Sequence, residues 1–183
     1  MTDIILKHGA YRTLLSFQKS EIIYDGTVYF CNKYLRRGDR TIDQMVQAAR
    51  SGKQNIAEGS MASGTSKETE IKLTNVARAS LEELLRDYQD YARINKITIW
   101  DKEHLYSKRL KELQREKNQT YETYIKAIEN PNVEITVNCM IGLIYVTIYL
   151  LKRQLESLEE DFVNHGGIRE RMTKARLEKR NSK

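Results

Sequence analysis

The chain has 183 residues, of which 31% are charged and 40% hydrophobic, and it carries a formal net charge of +6. That length fits one domain with at most an appendage, and the composition describes a soluble chain with enough apolar residues for a sizeable core. One Pro and nine Gly suit long helices, and Cys31 and Cys139 stand too far apart to form a local metal or redox pair. The two cysteines are therefore expected as buried free thiols in a reducing cytoplasm. The segment from Met1 to Lys7 lacks a signal-peptide layout, which fits the same cytoplasmic location.

In chain order, the first helix is expected from about Tyr11 to Arg37. Its inward stripe is Leu14, Phe17, Tyr24, Val28, Cys31 and Leu35, widened by Ile23, Phe30 and Tyr34. Gly26 suggests a kink, and Gly38 a cap. A second helix starts at Thr41. Ile42, Met45, Ala49, Gly52 and Ile56 share one of its faces, and the small Ala49 and Gly52 predict close helix approach there. The stretch 50–59 is expected to end one helix just before the next begins, with Gly59 as a C-terminal cap. Thr65-Ser66-Lys67-Glu68 reads as a capping box opening a helix from Ser66 to about Asn95. Leu73, Ala77, Leu81, Leu84, Tyr88 and Tyr91 should point inward from it.

Ile97 to Trp100 has strand-like composition but no partner, so it is expected as an extended connector packed on the bundle by Trp100. Leu105, Leu110 and Leu113 predict a further helix, and Tyr121, Tyr124, Ile125 and Ile128 its continuation or another. Asn130 is the expected N-cap and Pro131 the first residue of the last long helix. There Val137, Ile141, Ile144, Ile148, Leu151, Leu155, Leu158 and Phe162 alternate four and three without a miss. Between Ile135 and Leu151 this helix is apolar nearly all round. The run is shorter than the roughly 20 residues of a membrane span and leads into a charged half, so no membrane is expected. The expected cover is the bundle on one side and a neighbouring subunit on the other. His165-Gly166-Gly167 ends it, and Ile168 to Arg180 makes a short basic helix.

The positive charge is concentrated at the C-terminus. From His165 onward seven basic residues face only Glu170 and Glu178, a net of +5, whereas the body carries 24 basic against 23 acidic residues, a net of +1. The organisation read from this is a helical bundle over 1–164, with an insertion at about 96–130, and a basic suffix over 165–183.

Asn55-Ile56-Ala57-Glu58-Gly59, with Ser66, Glu70 and Ala79-Ser80-Leu81-Glu82-Glu83-Leu84 downstream, resembles a four-helix-bundle family. That family includes proteins encoded in intervening sequences of large-subunit ribosomal RNA genes and the accessory variability determinants of diversity-generating retroelements. A second anchor runs through Tyr149-Leu150-Leu151, Arg153-Gln154-Leu155, Leu158-Glu159 and Phe162 to Gly166-Gly167, Arg169-Glu170-Arg171-Met172 and Arg176. It resembles the suffix of one branch of the same family. The resemblance implies an all-α, up-and-down four-helix bundle assembled as a homo-oligomer, a pentameric barrel, with no established enzymatic activity. Through the accessory determinants it also implies association with a reverse transcriptase and its RNA.

No catalytic, cofactor or metal site is expected. His8, His104 and His165 are dispersed. Ser51-Gly52-Lys53 lacks the upstream Gly and the strand-to-helix setting of a phosphate loop. Ser16-Phe17-Gln18-Lys19 matches a Ser-x-x-Lys string without the rest of that active-site set. Glu58, beside an expected helix end, calls for a cationic partner. The leading expectation is RNA or DNA binding by Arg169, Arg171, Lys174, Arg176, Lys179 and Arg180, with Arg50 and Lys53 as further candidates. The alternative is a protein scaffold whose tail docks through Ile168, Met172 and Ala175 on a neighbouring subunit or an acidic partner.

Overall fold

The computed structural model describes residues 10–116 and 118–181, and of Arg171 and Asn181 only the backbone. His8 and Lys183 lie outside the described residues. The fold is all-helical, with no strand among the described residues. After a 3-10 turn at Tyr11–Thr13 come α1 (Leu15–Tyr34), α2 (Arg40–Ala62), α3 (Lys67–Ile94), α4 (Leu105–Leu113), α5 (Tyr121–Ile128), α6 (Val133–His165) and α7 (Ile168–Asn181).

The four long helices pack in a closed circuit: α1 on α2, α2 on α3, α3 on α6 and α6 on α1. The short α5 fills against α1 and α6, and α4 leans on α6. The core runs through all four, with Ile23, Phe30, Met45, Ala49, Leu81, Leu84, Tyr88, Met140 and Ile144 fully buried. Phe30 is its aromatic centre, its ring 4.8 Å from those of Tyr88 and Tyr91. The Tyr88 hydroxyl donates to Thr27 Oγ1 at 3.2 Å, so the polar end of this buried ring is satisfied.

The first helix is shorter than its pattern suggested. Leu14 is extended, which separates the 3-10 turn from α1, and Leu35 is extended at the other end. Its buried face is also rotated. Ile22, Ile23, Gly26, Thr27 and Phe30 lie deepest, whereas Tyr24 and Val28 are half-buried. A helix touched by both α2 and α6 needs a broad inward face, which a single heptad stripe does not describe. Gly26 lies within an unbroken α1, and a Cβ there would sit 2.7 Å from Met140 Sδ. Its role is close approach to α6.

The stretch 50–59 lies wholly inside α2, which continues to Ala62. Gly59 is therefore not a cap. It is buried against α3, where a Cβ would stand 3.4 Å from Glu70 O and from Leu73 Cβ. The small-residue seam is present: Met45, Ala49, Gly52 and Ile56 are buried, and a Cβ on Gly52 would lie 2.8 Å from Leu81 Cδ2. Ser51 and Ser80 hydroxyls pair across the same seam at 2.9 Å. The partner of the seam is α3 of the same chain.

Helix starts follow local side-chain chemistry, shifted by a residue or two. Asp39 Oδ1 accepts from Thr41 N–H at 2.9 Å and opens α2. Ser66 caps α3 by accepting from Thr69 N–H at 3.2 Å, so the box between Thr65 and Glu68 does not form. Asn132 caps α6, accepting from Glu134 N–H at 3.0 Å. Asn130 instead accepts from Asn132 N–H in the turn before it. The α3 interior and the α6 ladder match their patterns, with Ile148 half-buried and Phe162 38% exposed at the far end. Residues 97–100 form no regular element, as expected of a connector.

Candidate nucleic-acid interface

Gly166 ends α6 with φ +66°, a left-handed conformation that a side chain would strain, and its N–H donates to Phe162 O at 2.9 Å. The chain then turns into α7. The junction is tied down by charge. Lys67 Nζ stands 3.2 Å from both Glu70 Oε2 and Asp161 Oδ2, and Asp161 Oδ1 lies 3.0 Å from His165 Nδ1. Burial pushes the Glu70 carboxyl up, and Lys67 pulls it partly back. At Asp161 the opposing desolvation is outweighed by hydrogen bonds from Lys67 and His165, and the carboxyl is held down. The end of α6 is thus fastened to the start of α3.

Beyond that junction no described side chain of α7 is buried. Arg169, Lys174, Arg176, Lys179 and Arg180 are all exposed on it, and Arg171 belongs to the same helix. At 100° per residue, Arg169, Arg176 and Arg180 fall on one stripe, with Thr173 between them. Ile168, Met172 and Ala175 make the adjoining stripe, and Met172 is 37% exposed. The helix presents a guanidinium row beside an apolar row in which Ile168 and Ala175 are half-buried.

Arg50 and Lys53 do not join this surface. Both lie on α2, where Arg50 is exposed and Lys53 Nζ sits 4.2 Å from the centroid of the Tyr24 ring. Lys53 lines a cavity of about 490 Å³ with Arg12, Glu21, Asp25 and Gln119, where two carboxylates offset the two cations. That mixture is a poor phosphate site. Glu58 is exposed about one turn before the end of α2, without an ion pair among the described residues.

The weak motif matches are absorbed by structure. Ser51-Gly52-Lys53 is helical throughout. Ser16 Oγ donates to Gln154 Oε1 at 3.3 Å and Lys19 Nζ to Gln119 Oε1 at 2.6 Å, so the two are not a nucleophile and its base. Cys31 and Cys139 are free and buried, and desolvation pushes both thiols up to about 12, which keeps them protonated. No group of three metal-ligating side chains occurs among the described residues. The segment Val133–Glu170 is long and apolar enough to cross a membrane by length and composition, and half of its most apolar window is buried inside the protein.

Sequence reasoning missed Lys19, a buried ammonium on the inner face of α1. Its spacing to Ile22 and Ile23, three and four residues on, carried the signal once those two were recognised as core.

Fold and site together define an all-helical protein with an uncovered basic helix at its C-terminal end. Compared with protein-family models, curated proteins and solved structures, the chain matches none.

Proposed function

We propose that this protein is a non-enzymatic accessory factor that binds RNA or DNA through α7, carried on a four-helix bundle formed by α1, α2, α3 and α6. The observation that carries the reading is α7 itself. It is a 14-residue helix with no buried described side chain and an arginine stripe along its length. Helices of that length are marginal in water unless something covers them. Clustered guanidinium groups are suited to phosphate, and such contacts position a nucleic acid without reading its sequence. The family resemblance adds a homo-oligomer, a pentamer, and a reverse transcriptase with its RNA as partners. Several copies of α7 in one assembly would multiply a weak contact.

The test is a titration of the full chain and of a chain lacking residues 168–183 against a labelled oligonucleotide at several salt concentrations. With roughly four to six phosphates neutralised, the log–log slope is about −3.5 to −5.5 on duplex DNA and becomes shallower on truncation. Charge reversal at Arg171, Lys174 and Arg176 mimics the truncation. Equal affinity and equal slope for both chains reject α7 as the binding element.

A second reading, a protein scaffold, has its own support. Asp87 Oδ2 is buried without a hydrogen-bond partner among the described residues, and Glu83 and Asp90 lie close enough to push its carboxyl up further. That acidic stretch of α3 offers counter-charge to α7 of a neighbouring copy. In this reading truncation abolishes assembly and leaves oligonucleotide affinity unchanged.

A further inference from the structure

Between α3 and α4 the chain passes through the irregular segment 97–100, and Trp100 is clamped where that segment ends. Its backbone N–H donates to Asn138 Oδ1 at 2.8 Å and its indole Nε1–H to Glu134 Oε1 at 2.7 Å, both on α6. Asn138 Nδ2 donates back to Thr98 O at 2.9 Å, so connector and helix hold each other. On this fixed indole stack the rings of His104 and Tyr106, with centroids 4.5 Å and 5.3 Å away and interplanar angles of 13° and 30°. Rings on opposite faces of the indole would be separated by the sum of those distances. His104 and Tyr106 are only 5.7 Å apart, so they lie side by side on the same face. His104 Nδ1 accepts from Tyr106 N–H at 3.3 Å, which holds the histidine ring in place at the start of α4.

The result is a two-ring surface backed by the indole, its Tyr106 ring exposed and its His104 ring half-buried. Tyr106 is 42% exposed, and the exposed Ile99 and Leu105 flank it. One cation reaches the rings and others are close in sequence. The Arg109 guanidinium lies over the Tyr106 ring, 5.7 Å from its centroid, and Lys102, Lys108 and Lys111 are exposed nearby in sequence. Of the neighbouring carboxylates, Glu103 is paired with Lys108 at 2.8 Å, and Asp101 accepts from the N–H groups of Glu103 and His104. Lys102, Arg109 and Lys111 have no ion pair among the described residues.

Cations alone attract any phosphate backbone, and open rings alone suit a protein partner. Accessible aromatic rings beside cations without an ion pair suit single-stranded nucleic acid, whose bases are free to stack on rings and guanidinium alike. A duplex keeps its base faces inside its own stack and cannot use such a platform. We infer that His104 and Tyr106, backed by Trp100, are a stacking platform for an unpaired base, with Arg109 and Lys102 taking the adjoining phosphates. This rests on the nucleic-acid reading and narrows it to single strands or single-stranded ends.

Trp100 is the sole tryptophan, so its emission reports directly on the platform. Fluorescein-labelled oligo(dT) and a duplex of equal length are titrated against the full-length protein, Tyr106→Ala, Tyr106→Phe, Arg109→Ala and the chain lacking 168–183. The expected result is that oligo(dT) quenches Trp100 in the full-length protein. Tyr106→Ala weakens oligo(dT) binding roughly fivefold or more, leaves the salt slope unchanged and spares the duplex, while Tyr106→Phe keeps the affinity. Arg109→Ala makes the single-strand slope shallower by about 0.7. Unchanged oligo(dT) affinity in Tyr106→Ala, together with loss on truncation, overturns the platform and leaves α7 as the binding element. No binding by any of the proteins overturns both. If Tyr106→Ala instead lowers the mass seen by light scattering, the rings are an interface between copies and the inference fails.

Discussion

Lys19 shows how a single buried charge shapes this protein. It is 4% exposed, and its ammonium donates to Gln119 Oε1, which also accepts the Tyr124 hydroxyl. No carboxylate pairs with it among the described residues, and desolvation pulls its pKa down to about 8. The unfolded chain therefore binds more protons than the folded one between about pH 8 and 10.5, and this group adds stability as pH rises through that window. Lys19→Met removes the desolvated charge and keeps the stem. It is expected to stabilise the fold at pH 7 by about 1–3 kcal/mol, less whatever the lost hydrogen bond contributed. The advantage shrinks towards pH 10.5. Urea unfolding of both proteins across that range checks it, and a difference constant with pH would show that the Lys19 ammonium is as easily protonated in the fold as in the unfolded chain. The lysine also pins Gln119, whose Nε2 donates to Leu113 O and Glu116 O. One side chain thus joins the α4–α5 connection to α1.

Among the elements, α2 and α3 form the most intimate pair. The sequence marked that pair by placing Ala49 and Gly52 on a shared face, and the structure puts α3 of the same chain there. Gly in a helix interior costs about 1 kcal/mol against Ala, a penalty offset here by contact with the fully buried Leu81. Gly52→Leu is expected to lower stability by about 1–3 kcal/mol through overpacking. Because the seam is internal, the same substitution leaves the assembled mass unchanged. Denaturant melts and light scattering on the one variant read the two quantities separately. A full-stability Gly52→Leu protein would contradict the 2.8 Å approach.

At the scale of the molecule, the apolar circumference of α6 is largely covered by its own chain, since α1, α3, α4 and α5 all touch it. What remains open is narrower than the sequence suggested: Tyr145 at 50% and Tyr149 at 60% exposure, one turn apart. The Tyr145 hydroxyl accepts from Gln89 Nε2 at 2.9 Å, so this strip continues onto α3. If the protein assembles as proposed, this strip is where a neighbour belongs. Light scattering should then give a mass several times 21.4 kDa. Tyr145→Lys with Tyr149→Lys should lower it, because two buried charges without partners oppose association. A monomer at micromolar concentration in the unmodified protein removes the oligomer from the proposal.

The sequence by itself determined the all-helical class, the interior of α3, the α6 ladder, the Gly52 seam and the basic α7. Each is a local or periodic signal: apolar spacing, a small residue on a packing face, a block of like charge. It misplaced what depends on who the neighbour is. Gly59 and Gly26 look like punctuation in a string, yet both are contact points, because only the opposing helix determines whether a missing Cβ makes room or makes a bend. The caps at Ser66 and Asn132 shifted because several Ser, Thr and Asn residues compete for the same free N–H groups, and the packed helix selects the register. Lys19 and the Trp100, His104 and Tyr106 stack are tertiary outright. Their partners lie on other elements or across a connector, so the spacing of Lys19 to Ile22 and Ile23 becomes informative only once the structure shows those two to be core, and no spacing shows that three rings will meet.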